Sequence, residues 1–467
     1  MVFSSLFFIF LFLPLNLIFY FTVKNRKIKN IILVVFSLIF YAWGEPIWVG
    51  LLLLSSLIDY LNGLFIDKYH GKPIAKLGLY STLIFNLGIL ITFKYSDFIV
   101  QNVNAITHLN FKEPGFLMPI GISFYSFQTI SYTIDVYRGE VKAQKSFLNF
   151  LLFVSLYHQL VAGPIVRYSH IAKEIEERLF SWNDFNNGVS RFCIGLFKKV
   201  CIANIAGEIC SHYLTNDLSN LTVLGGWLGI LTYSIQIYFD FSGYSDMAIG
   251  MGWMFGFHYH ENFKYPYIST SITDFWRRWH ISLGTFFKDY VYIPLGGNKK
   301  YNFRNIFVVW GLTGLWHGAS WNFILWGLYF GIILLFEKII ILKILKRLPK
   351  IVSHIYALFF IIIGWAIFYF TDINQLIYFI ELLFNFTNQD LYNLEVKNMF
   401  FENMYWFGLT IILCVPIYNW FYEYINSISL FKHFIPLFTI FINVILLACS
   451  VTLLVGSSYN PFIYFRF

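Results

Sequence analysis

Charge is what this sequence has least of. Only 12% of its 467 residues are Asp, Glu, Lys or Arg, about half the quarter found in soluble domains, while 58% are hydrophobic. That balance excludes an ordinary soluble globule and implies a polytopic membrane protein. Cysteine is also scarce. Cys193, Cys201, Cys210, Cys414 and Cys449 lie in or beside apolar segments without metal-ligand spacing, so they read as packing thiols and no metal is expected. Phosphate-cradling P-loops, nucleotide-fold motifs, internal repeats and low-complexity linkers are missing. One membrane domain is expected to fill residues 1–467. The first apolar run has no basic region before it and lysines after it, the reverse of a cleavable signal peptide. It is expected to stay, with the N-terminus outside.

What is present is a series of apolar runs near the roughly 20 residues needed to cross a bilayer. They cover 3–23, 31–66 in two pieces, 77–93, 115–134, 146–163, 187–206, 222–239, 305–336 in two pieces, 351–370, 404–421 and 434–456. About ten to twelve transmembrane helices follow from them. The net charge of +8 does not mark a nucleic-acid binder, because the basic residues fall in short clusters between runs. Lys24, Arg26, Lys27 and Lys29 follow the first, and Lys338, Lys343, Lys346, Arg347 and Lys350 follow a later one. The positive-inside rule puts both clusters in the cytoplasm. Counting on from the second cluster puts residues 457–467 outside, as an extracytoplasmic aromatic tail.

Two stretches are too polar to be spans, 158–188 and 258–305, and both carry basic residues. They are expected to lie on the cytoplasmic side as amphipathic or re-entrant helices. Within the second, "SITDFWRRWH" offers Ser271 and Thr273 as caps ahead of Asp274. A continuous helix there would set Trp276 and His280 on one face. "PLGGN", residues 294–298, reads as the turn that ends the element.

His317 is the most unusual position. It sits in "GLTGLWHGASWNFILWGLYFG", residues 311–331, beside Gly314, Gly318, Ala319 and Ser320, small residues that allow close approach of helices or a ligand. An ionisable side chain at membrane depth must be neutral, paired or solvated by a cavity, and so marks a candidate site. Desolvation favours neutral imidazole, the form that accepts a proton. The alternative is a histidine bonded to a neighbouring helix. Asp240, Ser242 and Asp246 read as a structural polar network, because buried carboxylates need partners, with a catalytic acid as the alternative.

Five blocks carry a resemblance: "PIGISFYSFQTISYTIDVYRG", "QLVAGPIVRY", "YFDFSGYSDMAIGMGWMFGF", "DFWRRWHISLGTFFKDYVYIPLGG" and "LWHGASWNFILWG". Together, between residues 119 and 331, they resemble the bacterial branch of the membrane-bound O-acyltransferase superfamily. That resemblance implies an all-α polytopic fold around a central tunnel, with His317 catalytic and His280 on the cytoplasmic side of the tunnel. "LWHGASWNFILWG" is more similar to the branch that O-acetylates alginate and peptidoglycan than to the D-alanyl-teichoic acid branch. The resemblance further implies acetyl-CoA as cytoplasmic acyl donor and an extracytoplasmic partner of the SGNH hydrolase type that acetylates a surface polysaccharide. The setting it implies is the bacterial cytoplasmic membrane. Arg277 and Arg278 are candidates for CoA phosphates, since guanidinium suits bidentate phosphate contacts, with membrane anchoring as the alternative.

Residues 462–467, "FIYFRF", match F-x-Y-x-x-F, a C-terminal motif of these systems whose tyrosine is proposed to hold the acyl group. With 55 Phe and 32 Tyr in 467 residues, chance gives about 0.4 such matches somewhere in the chain, so only the terminal placement is informative. Tyr464 is the expected acyl carrier, with Phe462 and Phe467 anchoring the tail; the alternative is an aromatic belt at the interface. Peptidoglycan is the favoured acceptor over alginate, on composition alone. The rival readings are D-alanylation of teichoic acid and a non-enzymatic transporter with His317 lining a pathway.

Overall fold

The computed structural model describes residues 1–161, 163–215, 217–387, 389–417, 435–457, 459–460 and 462–463. Every regular element among them is helical. Among the described residues, five helices are long and apolar enough to cross a membrane: Arg26–Gly44, Val49–Lys68, Ala75–Thr107, Lys350–Tyr369 and Ile435–Gly456. The protein is an all-α polytopic membrane protein. The other apolar runs form shorter or internally buried helices, for reasons visible in two compact units, one comprising Met1–Phe192 with Tyr244–His260 and the other Cys193–Gly243 with Glu261–Phe467.

In the first unit, the run expected at 115–134 becomes the helix Ile122–Arg138, buried over nearly its whole length. Ser126, Gln128, Thr129, Ser131 and Thr133 are fully buried on it, a polarity that needs protein partners and not lipid. Asn86 supplies part of that network by donating to the Asp59 carboxylate at 2.9 and 3.2 Å and accepting from Thr129 Oγ1 at 3.3 Å. The run expected at 146–163 is broken instead of continuous. Phe147–Ser155 ends at Leu156, which has an extended ψ of 112°, and the Tyr157 N–H turns to Ser37 Oγ at 3.2 Å. The polar stretch that follows includes Tyr168–Glu177, an amphipathic helix with Tyr168, Ile171 and Ile175 buried. Arg191 closes on Asp246 at 2.9 Å, so that carboxylate has a structural partner.

The second unit is built on a hairpin of Asn302–His317 and Trp321–Phe336. Glycine makes it possible: a Cβ on Gly314 would press into the Phe323 carbonyl, and one on Gly327 into that of Trp310. Asn322, fully buried, ties the hairpin to Lys350–Tyr369 by donating to the Phe368 carbonyl at 3.1 Å. The "PLGGN" turn forms as expected, with Gly296 and Gly297 at φ 108° and 55°. Asn305 holds it by donating to the carbonyls of Gly297 and Lys300 at 3.0 and 2.7 Å. Of the cysteines, Cys193, Cys201 and Cys210 are buried and Cys449 is exposed, so the packing role does not extend to Cys449.

Candidate active site

His317 is the last residue of its helix, and the chain leaves it through an extended Gly318. The ring is buried in an aromatic box of Trp316, Trp326 and Phe368, with ring centroids 4.9, 4.9 and 5.3 Å away. These apolar walls keep the imidazole from bulk water. Trp316 also faces a second histidine, at 5.7 Å from the His280 ring. One indole therefore neighbours both imidazoles.

The continuous helix expected through His280 does not form. Ile272–Arg278 ends at an extended Trp279, and His280 takes the left-handed conformation, φ 43°, before Ile281–Phe287 begins. Trp276 and His280 thus sit on different elements. The break is held by Asn262, whose backbone carbonyl accepts from the Ile281 N–H at 3.0 Å. Its side-chain Oδ1 accepts from the Ser282 N–H at 3.2 Å and from Ser282 Oγ at 2.9 Å. A backbone N–H can only donate, so the atom facing it must be the amide oxygen. That oxygen also lies 3.2 Å from His280 Nδ1. It follows that Nδ1 carries the proton and Nε2 the lone pair. Burial pushes the His280 pKa down to about 3, so the ring is neutral at physiological pH.

The short helix ahead of His280 is capped from two sides. Ser271 Oγ accepts the Asp274 N–H at 3.0 Å, as its sequence suggests. Glu337, fully buried, takes the N–H groups of Ile272 and Thr273 at 2.6 and 2.8 Å and the Thr273 hydroxyl at 2.6 Å. A carboxylate at a helix N-terminus satisfies orphan donors and complements the dipole. Sequence reasoning assigned Thr273 a cap of its own and missed Glu337, which is 64 residues away. Arg278 pairs with Asp274 at 2.9 Å, and Arg277 is exposed.

The described part of the tail is docked. Phe462 and Ile463 are buried, and Ile463 belongs to the same hydrophobic cluster as Trp279, Trp326 and Phe368. Asp240 Oδ2 accepts the Ile463 N–H at 2.8 Å, while Oδ1 pairs with Lys199 at 2.8 Å. Lys199 donates to Asn204 Oδ1 at 2.8 Å, and Asn204 donates to the Tyr459 carbonyl at 3.3 Å and Asn460 Oδ1 at 3.2 Å. The residue after Asp240, Phe241, touches the His280 ring at 4.7 Å. Tyr464 and Phe467 lie outside the described residues. Nothing in the sequence singled out Lys199 or Asn204, since one lysine and one asparagine carry no spacing signal.

The membrane-bound O-acyltransferase family model matches residues 139–415, more than half of the chain. This chain belongs to the membrane-bound O-acyltransferase family. It is an acyltransferase, and the transporter reading falls away. Among its relatives are the probable alginate O-acetylase of Pseudomonas putida, 43% identical over 377 residues, 79% of this chain and 77% of the relative. The peptidoglycan O-acetyltransferase of Helicobacter pylori is 36% identical over 405 residues, with coverage of 79% and 77%. The teichoic acid D-alanyltransferase of Bacillus subtilis is 30% identical over 240 residues, 47% of this chain and 60% of the relative. The matched region contains both His280 and His317.

Proposed function

We propose that this protein moves acetyl groups from cytoplasmic acetyl-CoA through its membrane domain to an extracytoplasmic SGNH-type partner, which O-acetylates a polysaccharide. His317 is the general base and Tyr464 the acyl carrier. The Tyr464 hydroxyl gives its proton to the His317 imidazole as its oxygen attacks the thioester carbonyl. The carbon–sulfur bond then breaks, and the CoA thiolate takes the proton back from the imidazolium. A partner serine next attacks the acetyl-tyrosine, and the phenolate leaves with a proton. A phenol of pKa about 10 leaves more readily than an alkyl hydroxyl, so each transfer runs downhill. Exclusion of water from the aromatic box suppresses hydrolysis.

The observation that carries this reading is the docking of Ile463 on Asp240. The docked residue is covalently next to Tyr464, and Asp240 is next to Phe241, the residue against His280. An aromatic segment serving only as an interface anchor has no use for a buried carboxylate that accepts its backbone N–H. Arg277, exposed near the end of its helix, remains available for a CoA phosphate, with Arg278 beside it. Peptidoglycan is the acceptor in our reading; the higher identity to alginate O-acetylases favours a uronic-acid exopolysaccharide as the second. The N- and C-termini face outward from a bacterial cytoplasmic membrane.

Incubation of the purified protein with acetyl-labelled CoA, followed by peptide mass spectrometry, tests the carrier. Label is expected on the peptide containing Tyr464 and lost in Tyr464→Phe. Label that persists unchanged in the variant overturns the role of Tyr464. Co-expression with the partner and analysis of ester-linked acetate in wall and exopolysaccharide fractions identifies the acceptor.

A further inference from the structure

The first unit also holds a small basic cavity, which none of the steps above uses. Its walls include Tyr20, Lys24, Arg26, Lys29, Arg178 and Phe255, around a volume of ≈ 80 Å³. Four cations thus line one small concavity. Lys24, Arg26 and Lys29 come from the turn into Arg26–Gly44, whereas Arg178 arrives from the end of Tyr168–Glu177, about 150 residues later in the chain.

Arg178 makes this more than a patch of juxtamembrane lysines. It is buried, at 8% exposure, and its hydrogen bonds go to neutral acceptors. Nε donates to Tyr20 Oη at 3.2 Å, Nη1 to the Glu174 carbonyl at 3.0 Å, and Nη2 to Asn30 Oδ1. The Glu174 carboxylate is committed to His258, accepting from its N–H at 3.0 Å and facing Nδ1 at 2.8 Å. Lys29 lies 4.5 Å from the Tyr20 ring centroid, so its charge rests on an aromatic face. Among the described residues no carboxylate pairs with any of the four cations. A buried guanidinium without a counter-charge is costly, and the positive end of the Arg26–Gly44 dipole adds to the potential.

We infer that this cavity binds a phosphate group. A tetrahedral oxyanion supplies the missing counter-charge, and its oxygens suit guanidinium and ammonium donors together. The same chemistry is offered by the headgroup of an anionic phospholipid and by a soluble phosphorylated nucleotide. The cluster gives a built-in control: Lys27 carries the same charge in the same run but does not line the cavity.

The full chain is extracted from phosphatidylcholine vesicles with and without phosphatidylglycerol, and retained lipid is counted by native mass spectrometry. In parallel, 3′,5′-adenosine diphosphate is titrated onto protein in phosphatidylcholine alone. Arg26→Gln combined with Lys29→Gln is expected to weaken one of these two ligands about tenfold or more, while Lys27→Gln leaves it unchanged. The ligand that responds identifies the source. Lys24→Gln combined with Arg26→Gln serves as a second test should the first pair fold poorly. Binding that is equal in wild type and the cavity variants, or lost equally in Lys27→Gln, overturns the site.

Discussion

Asp240 accepts the backbone N–H of Ile463 across 223 residues of chain, at 2.8 Å, while its other oxygen holds Lys199. The carboxylate thus serves as an ion-pair partner and as a dock for the segment that precedes Tyr464. Replacing the pair together separates these roles. Breaking one partner strands a buried charge and costs about 3–5 kcal/mol, whereas an apolar pair of similar volume is tolerated. Lys199→Met with Asp240→Leu is therefore expected to keep its melting temperature in detergent within a few degrees while acyl-tyrosine formation falls at least tenfold. Peptide mass spectrometry of the labelled protein measures it, and full acylation in the double variant would refute the docking role.

His317→Gln keeps the shape of the box and removes the base. General bases contribute about 10²- to 10⁴-fold, so single-turnover transfer from acetyl-CoA is expected to fall within that range, with the protein still monodisperse. A loss under threefold would assign the base elsewhere.

His280 gives a pH prediction with a definite sign. Its folded pKa is pushed down to about 3 by burial, below the ordinary value of about 6.5. Between those limits the unfolded chain binds the proton and the folded protein does not, so folding stability contributed by this group is present above pH 6.5 and declines as pH falls through that window. The melting temperature is expected to drop between pH 6.5 and pH 5. In His280→Asn the slope of that drop should be shallower; an identical slope would show that the ring titrates freely.

Glu337 is expected to act through the helix that it caps. Glu337→Ala leaves the N–H groups of Ile272 and Thr273 unsatisfied at a cost of about 1–2 kcal/mol. If Arg277 and Arg278 meet the donor, KM for acetyl-CoA should rise more than kcat falls. Steady-state kinetics at varied acetyl-CoA separates the two, and a pure kcat effect would place those arginines outside the donor site.

Gly327→Val tests the hairpin. The added side chain meets the Trp310 carbonyl, and overpacking of this kind costs about 1–3 kcal/mol. A melting temperature several degrees lower is the expected result; no change would mean that the two helices can separate freely at this crossing.

Much of the fold and site was legible in one dimension because membranes impose a simple rule. Backbone polar groups must be satisfied within helices, so apolar runs name the elements, and an imidazole among small and apolar residues stands out. His317, the division of 305–336 into two pieces, the Ser271 cap and the glycine turn at 294–298 all follow from local spacing. The break at Leu156 does not, since an apolar run looks the same whether it faces lipid or carries a chain past Ser37. The left-handed turn at His280 was hidden for a similar reason: "RRWHISL" has sound helical periodicity, and only Asn262, 18 residues earlier, supplies the bonds that stop the helix.

What the sequence alone determined, then, was class: a many-helix membrane protein, with a histidine in an apolar run and an aromatic segment carrying a tyrosine motif. Hydropathy and residue type are local properties, and they survive in a string of letters. Tertiary structure decided who meets whom. Lys199, Asn204 and Asp240 become a dock for Tyr459, Asn460 and Ile463, Glu337 becomes a cap, and Arg178 joins lysines of the first turn, because buried charge and orphan N–H groups must find partners wherever the fold brings them.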